Sequence, residues 1–424
     1  MVYSPRLGEV AEEIAAAGIP VVDDLAGLPA VPDVIHGHHH LETIQAIQHF
    51  PKTPAIFVCH DSMAWHDEPP KHPNILRLVA VDENCRERLA RDWPRMSDRI
   101  EVIQNGADLN RFVARPPLPP IPRRALIFSN NAGENSQRGA IEEACERMGI
   151  PVDVTGSAAG TAARSPESAL PRYDLVFAKA RCALEAMAVG SAVVLCDAEG
   201  LGGMVTSEEV ALGRRWNFGR RLLTRPLETG LIAREIQRYD ANDAGRVSRW
   251  IRDHAALENT VDRYVTLYEQ ILGERIPWGL WYRLRDGYPR TERVEARDQA
   301  GISVEVLEPP TSAWCGQLLR LSAKLSNDSS VALATSPPWP VLLAHRWSEG
   351  DEDSGRHILQ PPLWPGSTRD YEMQVTAPMV PGEYVLQVRL LQEGWRWLDQ
   401  VDPPVTAELP IRVVAGSQDG SECD

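Results

Sequence analysis

The sequence predicts two successive α/β units followed by an all-β domain, on three observations. From the start to about Gly273, short apolar runs alternate with helical stretches, the pattern of parallel strands joined by crossover helices. A proline-rich stretch, RPPLPPIPRR at 115–124, interrupts that region, because proline can continue neither a helix nor a central strand. Beyond Gly301 the texture becomes alternating apolar and polar residues between Pro, Gly, Asn and Asp turns, as in an antiparallel sandwich.

Each element follows from its own residues. Val10–Ala17 reads as a helix, and Pro20–Val22, Val34–His36, Ala55–Cys59, Leu78–Val81 and Ile100–Ile103 read as buried strands. The prolines then form a stiff extended linker. The second unit has strands Leu126–Phe128, Val152–Thr155, Leu175–Phe177 and Ala192–Cys196, and its last long helix is Thr260–Leu272. Sandwich strands are expected at Ile302–Val306, Leu319–Leu325, Tyr371–Val375 and Tyr384–Leu390. The expected division is therefore 1–114 and 115–275 for two Rossmann-like lobes, 276–300 for a Trp- and Arg-rich connection, 301–414 for an immunoglobulin-like sandwich, and 415–424 for a disordered polar tail.

Composition narrows the class of function. Hydrophobic residues make up 43%, which suits ordinary globular cores. A formal net charge of −15 opposes general attraction to phosphate backbones and argues against a nucleic-acid binder. No apolar run is long enough to span a bilayer, and the N-terminus has no signal-peptide pattern. The 7 cysteines are scattered, with Cys59, Cys182 and Cys196 in apolar segments, so reduced buried thiols in a cytoplasmic protein are expected.

The most informative stretch is YDLVFAKARCALEAMAVGSAVVLCD, from Tyr173 to Asp197. A buried strand leads to Lys179 and Arg181 at the start of a helix whose apolar face carries Leu184, Met187 and Ala188. Gly190 ends that helix, and a second buried strand ends at Asp197. A helix N-terminus with added positive charge suits phosphate, and the carboxylate of Glu185 suits sugar hydroxyls. Glu185 can equally form an i,i+4 ion pair with Arg181.

Other candidates lie at expected strand ends. HGHHH at 36–40 offers imidazoles, but neighbouring side chains on an extended chain point in opposite directions, which favours an acceptor-lining loop using His38 or His40 over a metal site. His60 and Asp61 follow the strand AIFVC and are candidates for proton transfer. GLGGMVTSEE at 200–209 reads as a glycine-rich turn before a helix starting at Thr206 or Ser207, where the amides of Gly202 and Gly203 could meet phosphate or sugar. In the sandwich, Trp339, Trp347, Trp364, Trp395 and Trp397 suit either packing or stacking on sugars.

Three of these stretches resemble the GT-B glycosyltransferases of the large retaining family 4: VIQNGADLNRF at 102–112, KARCALEAMAVGSAVVLCD at 179–197, and DRYVTLYEQIL at 262–272. The likeness covers roughly residues 5–275. It implies a GT-B fold and transfer of a sugar, with retention and without a bound metal or other cofactor, from a nucleotide diphosphate sugar to a glycan, lipid-linked or small-molecule acceptor. Glu185 matches the family's ribose-binding glutamate, and His60 a histidine near the donor sugar. Lys179 and Arg181 lie where cations would hold the leaving diphosphate. Arg138 is the one cation in FSNNAGENSQRG, 128–139, after the first strand of the second lobe. His38, His40 and Asp61 would face the acceptor. A lipid-linked acceptor would bring the cytoplasmic protein to the inner face of the membrane. Phe177 stands where the family has a further glutamate, and the opening strand and loop are short. Both features fit the alternative of a weakened GT-B protein that binds carbohydrate and assists a polysaccharide-biosynthesis partner.

Overall fold

The computed structural model describes all residues except 131, 133–136, 158–159, 162–164, 275–287, 349–354 and 416–424. Most of the expected Trp- and Arg-rich connection, part of the 128–139 segment and the polar tail lie outside the described residues. The chain forms two compact units, Met1–Leu76 with Arg275–Asp424, and Arg77–Glu274. Residues 77–114 thus cluster with 115–274, and the first 76 residues cluster with the sandwich.

In the first unit, Val2–Tyr3 pairs in parallel with Val21–Val22, so a two-residue opening strand precedes the first helix, Glu9–Ala16. Strand Ile35–Gly37 pairs in parallel with Ala55–Cys59, in the register Ile35↔Ala55 to Gly37↔Phe57. All five residues of AIFVC are buried, as β-formers without a polar side chain must be if the strand is covered on both faces. Helix His40–His49 buries His40, Thr43, Ile44 and Ile47, the i, i+3, i+4, i+7 stripe of one helix face. Gly37 is dictated by its neighbour, because a Cβ there would lie 2.3 Å from Thr43 Oγ1.

The sandwich belongs to the same unit. One sheet has three strands, Ile302–Leu307, Leu318–Asn327 and Ser367–Thr376, all antiparallel. The other runs Ser312–Trp314, Thr406–Val414, Gly382–Gln392, Val341–Trp347, Gly355–Ile358, with Arg396–Trp397 also on Gly382–Gln392. Alternating residues such as Leu319, Leu321, Ala323 and Leu325 meet Leu386, Val388 and Leu390 in one apolar core. Trp347 is part of that core, and its indole N–H donates across to the Thr376 carbonyl at 3.0 Å.

In the second unit, a five-stranded sheet has the order Gly200–Met204, Ala192–Asp197, Leu175–Ala178, Ala125–Phe128, Val152–Thr155. It is parallel except for the first strand, which runs antiparallel to Ala192–Asp197. GLGGM is therefore an edge strand, and the following helix begins at Val210 rather than at Thr206 or Ser207. Strand Ile75–Ala80 pairs in parallel with Ile100–Val102 through Leu78↔Ile100. Helix Ala180–Val189 ends on Gly190, whose φ of 106° suits glycine. The proline stretch is strapped to this unit. Arg115 pairs with Asp174 at 2.7 Å, the Pro119 carbonyl accepts from Tyr239, and Leu118 enters the core.

Among the described residues no helix is long and apolar enough to cross a membrane. The described cysteines are all free, with Cys59, Cys85, Cys145 and Cys196 buried.

Candidate functional site

Each unit gathers polar side chains at strand ends, and the two sets differ in chemistry. In the second unit the chain leaves Ala125–Phe128 for Val152–Thr155 on one side, while Leu175–Ala178 lies on the other. The carboxyl ends of the central pair form the switch point at which open α/β sheets bind ligands. Ser129, Lys179 and Asp197 follow or close three neighbouring strands there, and they meet.

Lys179 Nζ lies 2.5 Å from Asp197 Oδ2 and 3.3 Å from Glu199. Asp197 is fully buried, and its Oδ1 accepts from Ser129 Oγ at 3.0 Å and Gln137 Nε2 at 3.3 Å. Burial works against the Lys179 charge, but Asp197 and Glu199 outweigh it and raise its pKa. Arg220 pairs with Glu199 at 3.1 Å. One turn further along, Arg181 Nε donates to Glu185 Oε1 at 2.9 Å, the i,i+4 pair foreseen from spacing. Glu185 Oε2 makes no hydrogen bond with the described residues. Burial raises the Glu185 pKa, with Arg181 opposing it. The guanidinium of Arg181 remains mostly exposed.

The start of this helix is strained. Ala180, Asn217 and Phe218 have φ of 48°, 49° and 53°, which L-residues rarely adopt. The Ala180 N–H donates to the Phe218 carbonyl at 2.8 Å, so NFG at 217–219 caps the helix. Neither that contact nor the Lys179–Asp197 pair was expected from the sequence. An acid closing a buried strand beside a strand-end lysine was the available signal.

Other expected donor residues stand elsewhere in this unit. Arg138 pairs with Glu142 at 2.7 Å along its own helix. Gly202 and Gly203 are strand residues that line a different cavity, of about 310 Å³, with Phe218, Arg225 and Arg238. The Gly202 carbonyl accepts from Arg225, and Glu235 binds both Arg225 and Arg238 at 2.8 Å.

In the first unit the candidate residues are imidazoles. His38 Nδ1 and His60 Nε2 lie 2.8 Å apart, and their rings stack at 5.1 Å. His36 stacks on His38 at 4.5 Å, and His39 meets His66 edge-on at 4.9 Å. His38, His39 and His60 keep solvent-exposed surface. Burial, with the neighbouring imidazoles adding to it, lowers the pKa of His38 and of His60, which favours a neutral pair in which one ring donates to the other. His36, Gly37, His38 and His39 also border a cavity of about 530 Å³ with Tyr3 and Glu42.

His40 does not join them. It is fully buried, and its Nδ1 bonds the Glu68 carbonyl at 2.8 Å, so it is not an acceptor-contacting residue as expected from the sequence. Burial lowers its pKa to about 4. Asp61 Oδ1 accepts from the Met63 and Ala64 amides at 2.6 and 2.9 Å and so braces its own loop. Asp67, which follows His60 and Asp61 in the sequence as a further member of a candidate general-base cluster, is 2% exposed and accepts the His60 N–H at 2.8 Å.

Residues 28–111, which include the histidine cluster, match the family model of Glycosyltransferase Family 4. No curated protein matches the sequence. Among solved structures, the chain is similar to a glycosyltransferase from Rickettsia africae ESF-5, at 11% identity and a TM-score of 0.46, covering 65% of this chain and 90% of that one. It is also similar to the GtfA/B complex, at 11% identity and a TM-score of 0.39 over 62% and 60% of the two chains. The calicheamicin glycosyltransferase CalG4 is similar at 13% identity, with a TM-score of 0.33 over 62% and 89%. The match over 28–111 relates the histidine-bearing part of the chain to the glycosyltransferases.

Proposed function

We propose that the protein transfers a glycosyl group from a nucleotide diphosphate sugar to a glycan, lipid-linked or small-molecule acceptor, with retention at the anomeric carbon. The observation that carries this reading is the family match over residues 28–111, the segment that contains His38 and His60. In glycosyl transfer, negative charge grows on the leaving diphosphate, so fixed positive groups at that point lower the barrier. Lys179 and the exposed guanidinium of Arg181 take that role at the switch point of the second unit. Glu185 Oε2 accepts from a ribose hydroxyl. His60, neutral and backed by His38, receives or returns a proton at the donor sugar or the acceptor hydroxyl. No metal or other cofactor enters the proposal.

A second reading is a protein that binds carbohydrate and assists a partner without efficient transfer. It is favoured by the internal neutralisation of Lys179, Arg181 and Arg220 by Asp197, Glu185 and Glu199. The test is thermal stabilisation by a panel of uridine, guanosine, adenosine and thymidine diphosphate sugars, together with release of nucleoside diphosphate. Transfer predicts one donor that stabilises the protein, release that requires an acceptor, and loss of both in Glu185→Ala. Stabilisation by a glycan without diphosphate release supports the second reading. Failure of every donor to stabilise the protein, with activity unchanged in Glu185→Ala, contradicts the first.

A further inference from the structure

The loop after strand Ala55–Cys59 is held from two directions. From its own side, Asp67 accepts the His60 N–H at 2.8 Å and faces His66 at 3.4 Å. From the other side come residues of the sandwich and Tyr288 of the segment that precedes it. Trp65 packs against a small apolar cluster of Leu342, Ile358 and Leu391, joined by Trp397. The Lys71 N–H donates to Gln360 Oε1 at 2.8 Å and to the Tyr288 hydroxyl at 2.7 Å, while Tyr288 itself bonds Gln360. Gln360 Nε2 reaches the Pro69 carbonyl at 3.4 Å. His40, bonded to the Glu68 carbonyl, meets the Tyr288 ring edge-on at 6.0 Å.

These contacts converge on a short path. Trp65 and Asp67 belong to one turn, Trp65–Asp67, so fixing the indole against the sandwich fixes where the Asp67 carboxylate stands. That carboxylate fixes the His60 backbone, and the His60 ring then stands 2.8 Å from His38. A single hydrogen bond between two partly exposed imidazoles is too weak to hold their loop by itself.

Three tryptophans of the sandwich, Trp339, Trp395 and Trp397, meet arginines of the same unit. The Arg389 guanidinium lies 3.7 Å from the centre of the Trp397 ring, and Arg293 lies 4.1 and 4.2 Å from the centres of Trp339 and Trp395. Trp397 and Trp395 thus stack on arginines of the same chain.

We infer that the sandwich is a positioning element for the His38–His60 pair, acting through Trp65 and Asp67. Trp65 and Asp67 are positioning residues. The consequence for catalysis rests on the glycosyltransferase reading, but the link itself does not.

The test is nitrogen-detected NMR of the full chain labelled with ¹⁵N-histidine, with His38 and His60 assigned through His38→Gln and His60→Gln. In the wild type each of these rings shows two well-separated nitrogen shifts, the mark of one fixed neutral tautomer. Trp65→Ala and Asp67→Ala are expected to collapse both pairs of shifts toward their average, with His254 of the other unit unchanged. Trp65→Phe, which keeps the packing, and Asp67→Asn, which keeps an acceptor, retain the wild-type pattern. If Trp65→Ala does not fold, Gln360→Ala cuts the Lys71 and Pro69 hydrogen bonds and tests the same link. An unchanged pattern in Trp65→Ala, or in its Gln360→Ala substitute, overturns the inference even if Asp67→Ala disturbs it, because the sandwich would then play no part. No donor or acceptor enters this measurement, so its failure is distinct from failure of the glycosyltransferase reading.

Discussion

The two units solve the same problem, polar side chains at the ends of buried strands, with opposite electrostatics. Of the 11 histidines in the chain, only His254 lies in Arg77–Glu274. In the first unit burial lowers the pKa of His36, His38, His40 and His60, whereas the second unit holds full charges by pairing them, as Lys179 with Asp197 and Arg181 with Glu185. Neutral imidazoles can accept and pass on protons near neutrality, and paired charges can shape a site for an anion. The proposed glycosyl transfer assigns proton handling to the first set and diphosphate binding to the second.

Acid offers the largest test of that contrast. Burial lowers the pKa of His40 and of His345 to about 4, with Arg389 adding to the effect on His345. Both pKa values are depressed in the fold, so the unfolded chain binds protons first. The stabilisation is complete above the unfolded value near 6.5 and is lost progressively as pH falls from there to about 4. Each ring accounts for at most about 3 kcal/mol over that window. In the second unit Glu185 works in the opposite sense, because its pKa is raised by burial. Hydrogen exchange from pH 7 to pH 4 should therefore show loss of protection in Ile35–Gly37 and Val341–Trp347 before Leu175–Ala178. Simultaneous loss in all three strands breaks the comparison.

A smaller effect is expected when one charge of the second unit is removed. Lys179→Ala removes the cation paired with the buried Asp197, whose Oδ1 still accepts from Ser129 and Gln137, at a cost of about 2 kcal/mol; solvent access to Lys179 keeps this below the value for a fully buried pair. Denaturant unfolding of the variant reads this directly. An unchanged midpoint would mean that the pair does not hold the strand ends together.

Much of this architecture was legible before any coordinates, and the failures have physical causes. AIFVC and AVVLC announce themselves because apolar β-formers in a short run have nowhere to go but a covered strand. GLGGM does not, because glycine has no strand preference of its own and that strand exists through pairing with Ala192–Asp197. The burial of His40 could have been found: His40, Thr43, Ile44 and Ile47 follow helical spacing, which puts that imidazole on the inward face and leaves His38 and His39 outside. The Lys179–Asp197 pair joins residues on neighbouring strands, and the Trp65 contact with Leu342 and Leu391 spans most of the chain. The first offers only an acid closing a buried strand beside a strand-end lysine as a signal, and the second has no local signature. The helix start at Lys179 and Arg181 and the Arg181–Glu185 spacing were visible from the sequence, but not that the cations would be neutralised from within.

Further down the scale, Gly37→Ala sharpens the role of the histidine strand. The new Cβ would meet Thr43 Oγ1, and relieving that contact should cost about 1–2 kcal/mol and shift the resonances of His36 and His38. A variant as stable as the wild type would show that the strand end has slack. The smallest effect is expected at Arg181. Its guanidinium is exposed although the paired Glu185 is buried, and glutamine keeps a donor for that carboxylate, so Arg181→Gln should cost at most about 1 kcal/mol while weakening donor binding. A large stability loss there would recast the residue as structural.

The central claim, that the second unit binds the donor at its switch point, is tested most directly by hydrogen exchange of the full chain with and without each nucleotide diphosphate sugar. The account predicts that one donor slows exchange in Ser129 and in 179–185, and that Lys179→Ala abolishes this protection. Protection confined to other segments, or unaltered in Lys179→Ala, would contradict it.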